Sequence, residues 1–285
     1  MWAAAAPADG FGPAGSGTQA ASDATPPAAP DPPPPAQPPP AVEPKERYRY
    51  ALGMAVVADR TGEFSNVRLR ALGAYNFGEV RISTSYIGSI LTFGADERER
   101  GAIADLYRSR RWSFGAGLRL DSGSRPAQVR EVDGLPDINR TVRASFYVRY
   151  DFDRHWRGRL TLLPDLLGRQ EGVAAVLGIS YTTLLSRSTE GSVFTSVAFG
   201  DRRHLQTYFA VSEGMAQRSG LPAFSPGGGL SQVELGTSVI HAFHRRWIAF
   251  AGAGTSRIVG SPADSPLLHS RWASAVYAGI GYRCC

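Results

Sequence analysis

What most constrains this chain is a period of two. In "SFGAGLRLD" (Ser113 to Asp121), Phe114, Ala116, Leu118 and Leu120 fall on one face. Gly115, Gly117, Arg119 and Asp121 fall on the other, the mark of a strand with one apolar side. "TVRASFYVRYDF" repeats the pattern, with Val142, Ala144, Phe146, Val148 and Tyr150 opposing Arg143, Ser145, Tyr147 and Arg149. The same alternation recurs over 67–77, 173–184, 192–200, 233–243 and 272–282. A run of eighteen apolar residues occurs nowhere, so no transmembrane helix is expected.

Many of these segments begin or end with an aromatic on the predicted outward face: Tyr75, Phe77, Tyr150, Phe152, Trp156, Phe243, Trp247, Trp272 and Tyr282. Aromatics at strand ends, Ala, Val and Leu between them, and Gly, Ser or Arg on the opposite face suit a strand that crosses a membrane. A soluble β-sandwich also alternates, but its strands are shorter and its outer face carries Lys, Glu and Thr. The expected class is therefore all-β, an antiparallel transmembrane β-barrel.

Connection lengths set the strand count. Residues 151–155, 185–189 and 243–246 are tight turns, whereas 123–138, 202–228 and 259–270 are long and rich in Gly, Pro and Asp. In such barrels short turns face the periplasm and long loops face outward. Counting back from the C-terminus gives strands near 271–284, 247–258, 229–243, 191–200, 173–184, 156–163, 139–152 and 112–122. Candidates before them are 47–58, 66–77, 79–85 and 88–94, joined in part by the turn "NFGE" (Asn76 to Glu79). The expected barrel has about twelve strands and spans 47–285, with ten as the fallback.

Residues 1–46 read differently. They are almost all Ala, Pro, Gly, Ser, Thr, Asp and Gln, culminating in "PDPPPPAQPPPAVEP". So few large apolar groups cannot offset the entropy of ordering, which predicts a disordered tail with a polyproline II spacer. Its opening "MWAAAAPADG" lacks the basic n-region and long apolar stretch of a signal peptide.

Other chemistries find little support. Cys284 and Cys285 are adjacent and terminal, unsuited to stapling the fold, and no CxxC or clustered His suggests a metal or cofactor site. Ser212, Ser265, His204, His241, His269, Asp264 and Glu213 supply the residue types of a hydrolytic triad, but no GxSxG element accompanies them. "SPGGGL" lacks the Lys-Ser/Thr ending of a phosphate loop. The net charge of +6 comes from arginines strewn singly, without a nucleic-acid-binding motif.

The run "YFAVSEGMAQRSGLPAFSPGGGL", followed by "HRRW", "GAGTSRIVGSPADSP" and "YAGIGYR", resembles the MipA/OmpV family of Gram-negative outer-membrane barrels. The matching motif positions include Tyr208, Ser212, Gly220, Leu221, Pro222, Pro226, Gly228, Asp264, Ser265 and Pro266. Two positions depart from the family: Ala210 replaces a glycine, and Cys284 and Cys285 replace a terminal aromatic. The resemblance implies a non-enzymatic outer-membrane protein; the tail before residue 46 is not part of it, and strand parity, with both termini at the short-turn end, puts that tail in the periplasm. Such a protein would link a lytic transglycosylase and a peptidoglycan synthase to the membrane; other members are porin-like or adhesive.

Two features remain to be placed. Pro222 and Pro226 fix φ and remove amide donors, and Gly227 to Gly229 permit positive φ, so 219–230 is expected to fold as a packed loop. Asp264 and Ser265, in the neighbouring long loop, are positioned to brace it. Arg68, Arg70, Arg81, Arg119, Arg143, Arg149, Arg157 and Arg159 all fall on the inward face. Either they are salt-bridged to groups such as Glu79, Asp121 and Glu234, or they line a lumen that favours anionic solutes.

Overall fold

In a computed structural model of the protein, the described residues are 49–84, 101–121, 125–130, 138, 140–168 and 172–284. They form a closed barrel of twelve antiparallel strands, each paired with its sequence neighbours and the last with the first. The strands are β1 (Tyr50–Thr61), β2 (Phe64–Phe77), β3 (Val80–Ser83), β4 (Gly101–Arg108), β5 (Trp112–Asp121) and β6 (Thr141–Asp151). They continue as β7 (Trp156–Pro164), β8 (Val173–Ser186), β9 (Thr189–Gly200), β10 (Gly229–Ala242), β11 (Trp247–Ile258) and β12 (Trp272–Cys284). Closure satisfies every strand edge, which is what lets a sheet cross lipid.

The period of two holds strand by strand. Leu52, Met54 and Val56 of β1 are exposed while Ala51, Ala55 and Val57 are buried. Phe146 of β6 is exposed, whereas Arg143, Ser145, Tyr147 and Arg149 are buried. This inverts the soluble pattern: the exposed face is apolar and the covered face carries the charges. Tyr75, Phe77, Phe152, Trp156, Phe243, Trp247 and Trp272 all face outward near strand ends.

The expected strand 88–94 lies outside the described residues, as does the tail. The fourth strand is Gly101–Arg108, so the long connection precedes it and the tight turn "SRR" (Ser109 to Arg111) follows. Two features disguised it: Gly and Ala are weak strand formers, and Asp105 interrupts the apolar run from a buried, inward position. A bulge between Asp105 and Tyr107 shifts the register there and leaves both Leu106 and Tyr107 exposed. Cys284, buried at the end of β12, is disulfide-bonded.

Inside the barrel, two walls differ in kind. One is apolar: Ala51, Ala55, Val57, Leu72, Ile240, Ile248 and Phe250 pack into one cluster with Tyr277 against it. The other, on β3 to β7, is ionic. Rings on the interior are held flat by glycines directly across the ladder. Gly115 faces Tyr147, Gly236 faces Phe194, Gly252 faces Tyr277 and Gly279 faces Phe250. A Cβ at Gly236 would come 2.2 Å from the Phe194 ring, and one at Gly252 2.4 Å from Tyr277. Four separate pairs thus solve the same problem, laying an aromatic side chain along the wall where a glycine leaves room.

Candidate functional site

The long loops do not hang as independent excursions. Segment 202–228, expected as one long loop, contains helices α1 (Arg202–Phe209) and α2 (Glu213–Ser219). Asp201 caps α1 by accepting from His204 N at 2.7 Å, and its second oxygen accepts from Val173 N at 3.0 Å, fixing the helix to β8. Ser212 caps α2 by accepting from Met215 N at 3.4 Å, and Gly220 ends it at φ 72°. These caps, Asp-x-x-His and Ser-Glu-Gly-Met, are the local sequence signal for the two helices.

Three long loops then knit into one cap. Val129, Leu205, Tyr208, Phe209, Val211, Met215, Ile258 and Leu267 form a second buried apolar cluster, with Leu221 and Phe224 packed against it. Ser265 Oγ donates to Phe209 O at 2.7 Å, and Gly227 N donates to Ser261 Oγ at 2.7 Å. Arg130 N donates to Leu267 O at 2.9 Å, joining the third loop.

The motif residues converge on this cap. Tyr208 and Ser265 are buried, Pro226 is wholly enclosed, and Ser212 and Gly220 begin and end α2. Gly228 approaches Arg202 N so closely that a Cβ would lie 3.0 Å from it. Asp264 plays another part: it is exposed and pairs with Arg271 at 3.1 Å. Of the triad candidates, Ser265 is spent on Phe209 O and Asp264 on Arg271, and neither ring nitrogen of His269 has a hydrogen-bond partner.

All eight arginines lie on inward-facing strand positions, but they differ in what they meet. Arg143, 2% exposed, donates Nε to Asp121 at 3.2 Å, Nη1 to Leu163 O at 3.1 Å and Nη2 to His204 Nδ1 at 3.3 Å. Arg81 pairs with Asp105 at 2.9 Å, and Arg108 and the Tyr147 hydroxyl converge on the same carboxylate. Arg149 donates to Ser113 at 3.1 Å, Arg157 pairs with Asp151 at 2.6 Å, and Arg159 stacks over Tyr147 at 4.2 Å. Arg68 pairs with Asp59 at 2.8 Å, Arg70 is exposed, and Arg119 lies inward beside Asp121 on β5. Asp121 pairs as expected with Arg143; Asp59, Asp105 and Asp151 were missed, because cross-strand neighbours depend on register.

Arg143 also connects the ionic wall to the cap through His204, whose ring packs edge-on to Tyr208 at 4.9 Å. Burial and the Arg143 charge hold the imidazole down to about 4, against the partial opposition of Asp201 and Asp121, with Arg119 adding to the depression. Burial likewise pushes the Tyr208 hydroxyl up. Because undocked His204 takes up a proton more readily than docked His204, its contribution to cap docking is constant above about pH 6.5 and falls as pH drops toward 4. Below that this contribution loses nothing further. The total loss is on the order of 3 kcal/mol. Hydrogen exchange of the α1 amides, corrected for intrinsic rates, should therefore be faster at mildly acidic than at neutral pH, and His204→Gln should erase the difference. Equal pH dependence in that variant would assign the effect to another group.

Comparison with known proteins agrees with the motif. The family model described as "MltA-interacting protein MipA" matches residues 53–284. "MltA-interacting protein" of Escherichia coli (strain K12) and that of Shigella flexneri are each 26% identical over 168 residues, 57% of this chain. The chain thus spans about three fifths (62%) of the length of these relatives. Among solved structures, the KdgM porin aligns with 81% of this chain and 98% of its own at 11% identity and TM-score 0.39. The NanC porin aligns with the same shares at 7% identity and TM-score 0.44. With its twelve-strand barrel and its match across nearly the whole of it, the chain belongs to the MltA-interacting protein (MipA) family of outer-membrane β-barrels.

Proposed function

We propose that this protein is a non-enzymatic docking platform that holds a lytic transglycosylase, and with it a peptidoglycan synthase, at the outer membrane. The observation that carries this reading is the use of the barrel interior. One wall is packed with apolar side chains, the other with arginines set against carboxylates and hydroxyls, and three loops interlock as a cap. Exposed arginines stand at both ends of the barrel; at the short turns, the face this reading gives to the partner, they are Arg110, Arg111, Arg154, Arg187, Arg245 and Arg246. In this orientation the short turns and the N-terminal tail face the periplasm. The names of the relatives support a transglycosylase as the partner.

Crosslinking the tagged barrel in outer membranes and identifying captured proteins by mass spectrometry tests the reading. Enrichment of a lytic transglycosylase or a peptidoglycan synthase over an unrelated barrel of equal abundance is expected. No wall enzyme above that control overturns it. The inward arginines favour a second reading, an anion-selective channel. Planar-bilayer conductance whose selectivity reverses in Arg119→Glu and Arg149→Glu would establish it.

A further inference from the structure

Three tight turns at the short-turn end carry the same local sequence: "RRW" (Arg110 to Trp112), "RHW" (Arg154 to Trp156) and "RRW" (Arg245 to Trp247). Each tryptophan opens an ascending strand and is the cross-strand partner of a tyrosine: Trp112 with Tyr150, Trp156 with Tyr181 and Trp247 with Tyr282. The ring centroids lie 4.5, 5.1 and 5.2 Å apart.

The backbone repeats as faithfully as the rings. The residue after each tyrosine donates its amide to the carbonyl of the basic residue before each tryptophan: Asp151 to Arg111 at 2.8 Å, Thr182 to His155 at 2.9 Å and Arg283 to Arg246 at 2.7 Å. This bond brings the basic side chain back onto the phenol. Arg111 Nη1 donates to Tyr150 OH at 3.5 Å, Arg246 Nη1 donates to Tyr282 OH at 3.3 Å, and the His155 ring stacks on Tyr181 at 5.5 Å. A tight turn does not dictate this arrangement. The turns between Phe77 and Val80 and between Ser186 and Thr189 are as short and have no tryptophan.

The three units share one position and one chemistry. All lie where the outward apolar face of the barrel ends, the level of the lipid headgroups, and the rings are oriented to meet acyl chains. Directly beyond the rings stands at least one exposed arginine in each unit: Arg110 and Arg111, Arg154 beside His155, and Arg245 and Arg246. Above the Trp247–Tyr282 pair, Ala249, Ala251 and Ala253 of β11 form a low furrow between exposed Leu235 and Val239 of β10 and Val276 and Ile280 of β12. A phosphate flanked by two hydrocarbon tails complements such a unit: cations for the charge, rings for the glycerol region and a furrow for the chain. A soluble acidic partner would match the cations but would leave the outward rings unused.

We infer that these three turn units are binding sites for anionic phospholipid in the leaflet at the short-turn end. The full chain, with Trp2→Phe and Trp272→Phe, retains only the three site tryptophans of the five in the sequence. Reconstituted in phosphatidylcholine vesicles, its fluorescence should be quenched by acyl-brominated phosphatidylglycerol at about fivefold lower mole fraction than by equally brominated phosphatidylcholine. Arg111→Gln/Arg154→Gln/Arg246→Gln should equalise the two lipids while keeping the heat-shifted gel mobility of a folded barrel. Should that variant fail to fold, rising salt must shrink the preference in the parent protein. Equal quenching by both lipids in the parent, or a preference unchanged in the folded triple variant or by salt, overturns the assignment. So does its loss to inorganic phosphate at matched ionic strength, which would make the sites receptors for the free ion.

Discussion

Arg143→Ala is expected to be the most damaging single substitution in the barrel wall. Its guanidinium uses all three nitrogens in different directions, to Asp121 on β5, to Leu163 O on β7 and to His204 on the cap. Removing it leaves a carboxylate, a carbonyl and an imidazole inside the barrel without their donor. Breaking a buried charge pair from one side costs about 3–5 kcal/mol. Urea unfolding in detergent, followed by tryptophan fluorescence and heat-shifted mobility, should show a loss of that order together with faster exchange in α1. Arg143→Lys should recover little, because one ammonium cannot reach three separated acceptors with the same geometry. A loss below about 1 kcal/mol in the alanine variant would mean that water replaces the guanidinium, and that the cap is held by its apolar cluster alone.

Gly236→Val should also destabilise strongly, for a steric reason. Its new Cβ would meet the Phe194 ring at 2.2 Å and Ala253 O at 2.9 Å, so the ring must swing off the wall into an already occupied interior. Overpacking of this kind costs about 1–3 kcal/mol. In a Phe194→Leu background the same substitution should cost at least about 1 kcal/mol less, since the obstructing ring is gone. Equal penalties in the two backgrounds would show that the glycine serves the backbone and not the ring.

These two residues also show where the sequence was legible. Period two assigned Arg143 and Gly236 to the inward face, because which side of a strand a residue occupies is a local property. What each meets there is not local. Tyr147 lies over Gly115 and Phe194 over Gly236 only through a register fixed by every neighbouring turn, and no run of residues announces it. The same reason hid Asp105, which looked like an interruption of an apolar segment and is the common acceptor of Arg81, Arg108 and Tyr147.

The cap divides in the same way. Prolines and glycines at 222–229 pointed to a turn-rich loop; Ser265 instead bonds Phe209 O at the end of α1, and it is Ser261 that receives Gly227 N. The two short helices were obscured because α2 runs only from Glu213 to Ser219, too brief for a helical period to show. Their caps, Asp201 and Ser212, were the sole local clue.

The long pairing of β1 has a mechanical corollary. This strand is bonded from Tyr50 to Thr61 along both sides, to β2 and to β12, without a bulge. The chain that precedes it enters at the short-turn end, beside the close of β12, where Arg49 N donates to Cys284 O. Tension applied to that incoming chain along the barrel axis would load both ladders in shear, so that their bonds resist together and cannot be peeled one at a time. A tether fixed there would transmit force into the wall of the barrel through both ladders of β1 at once.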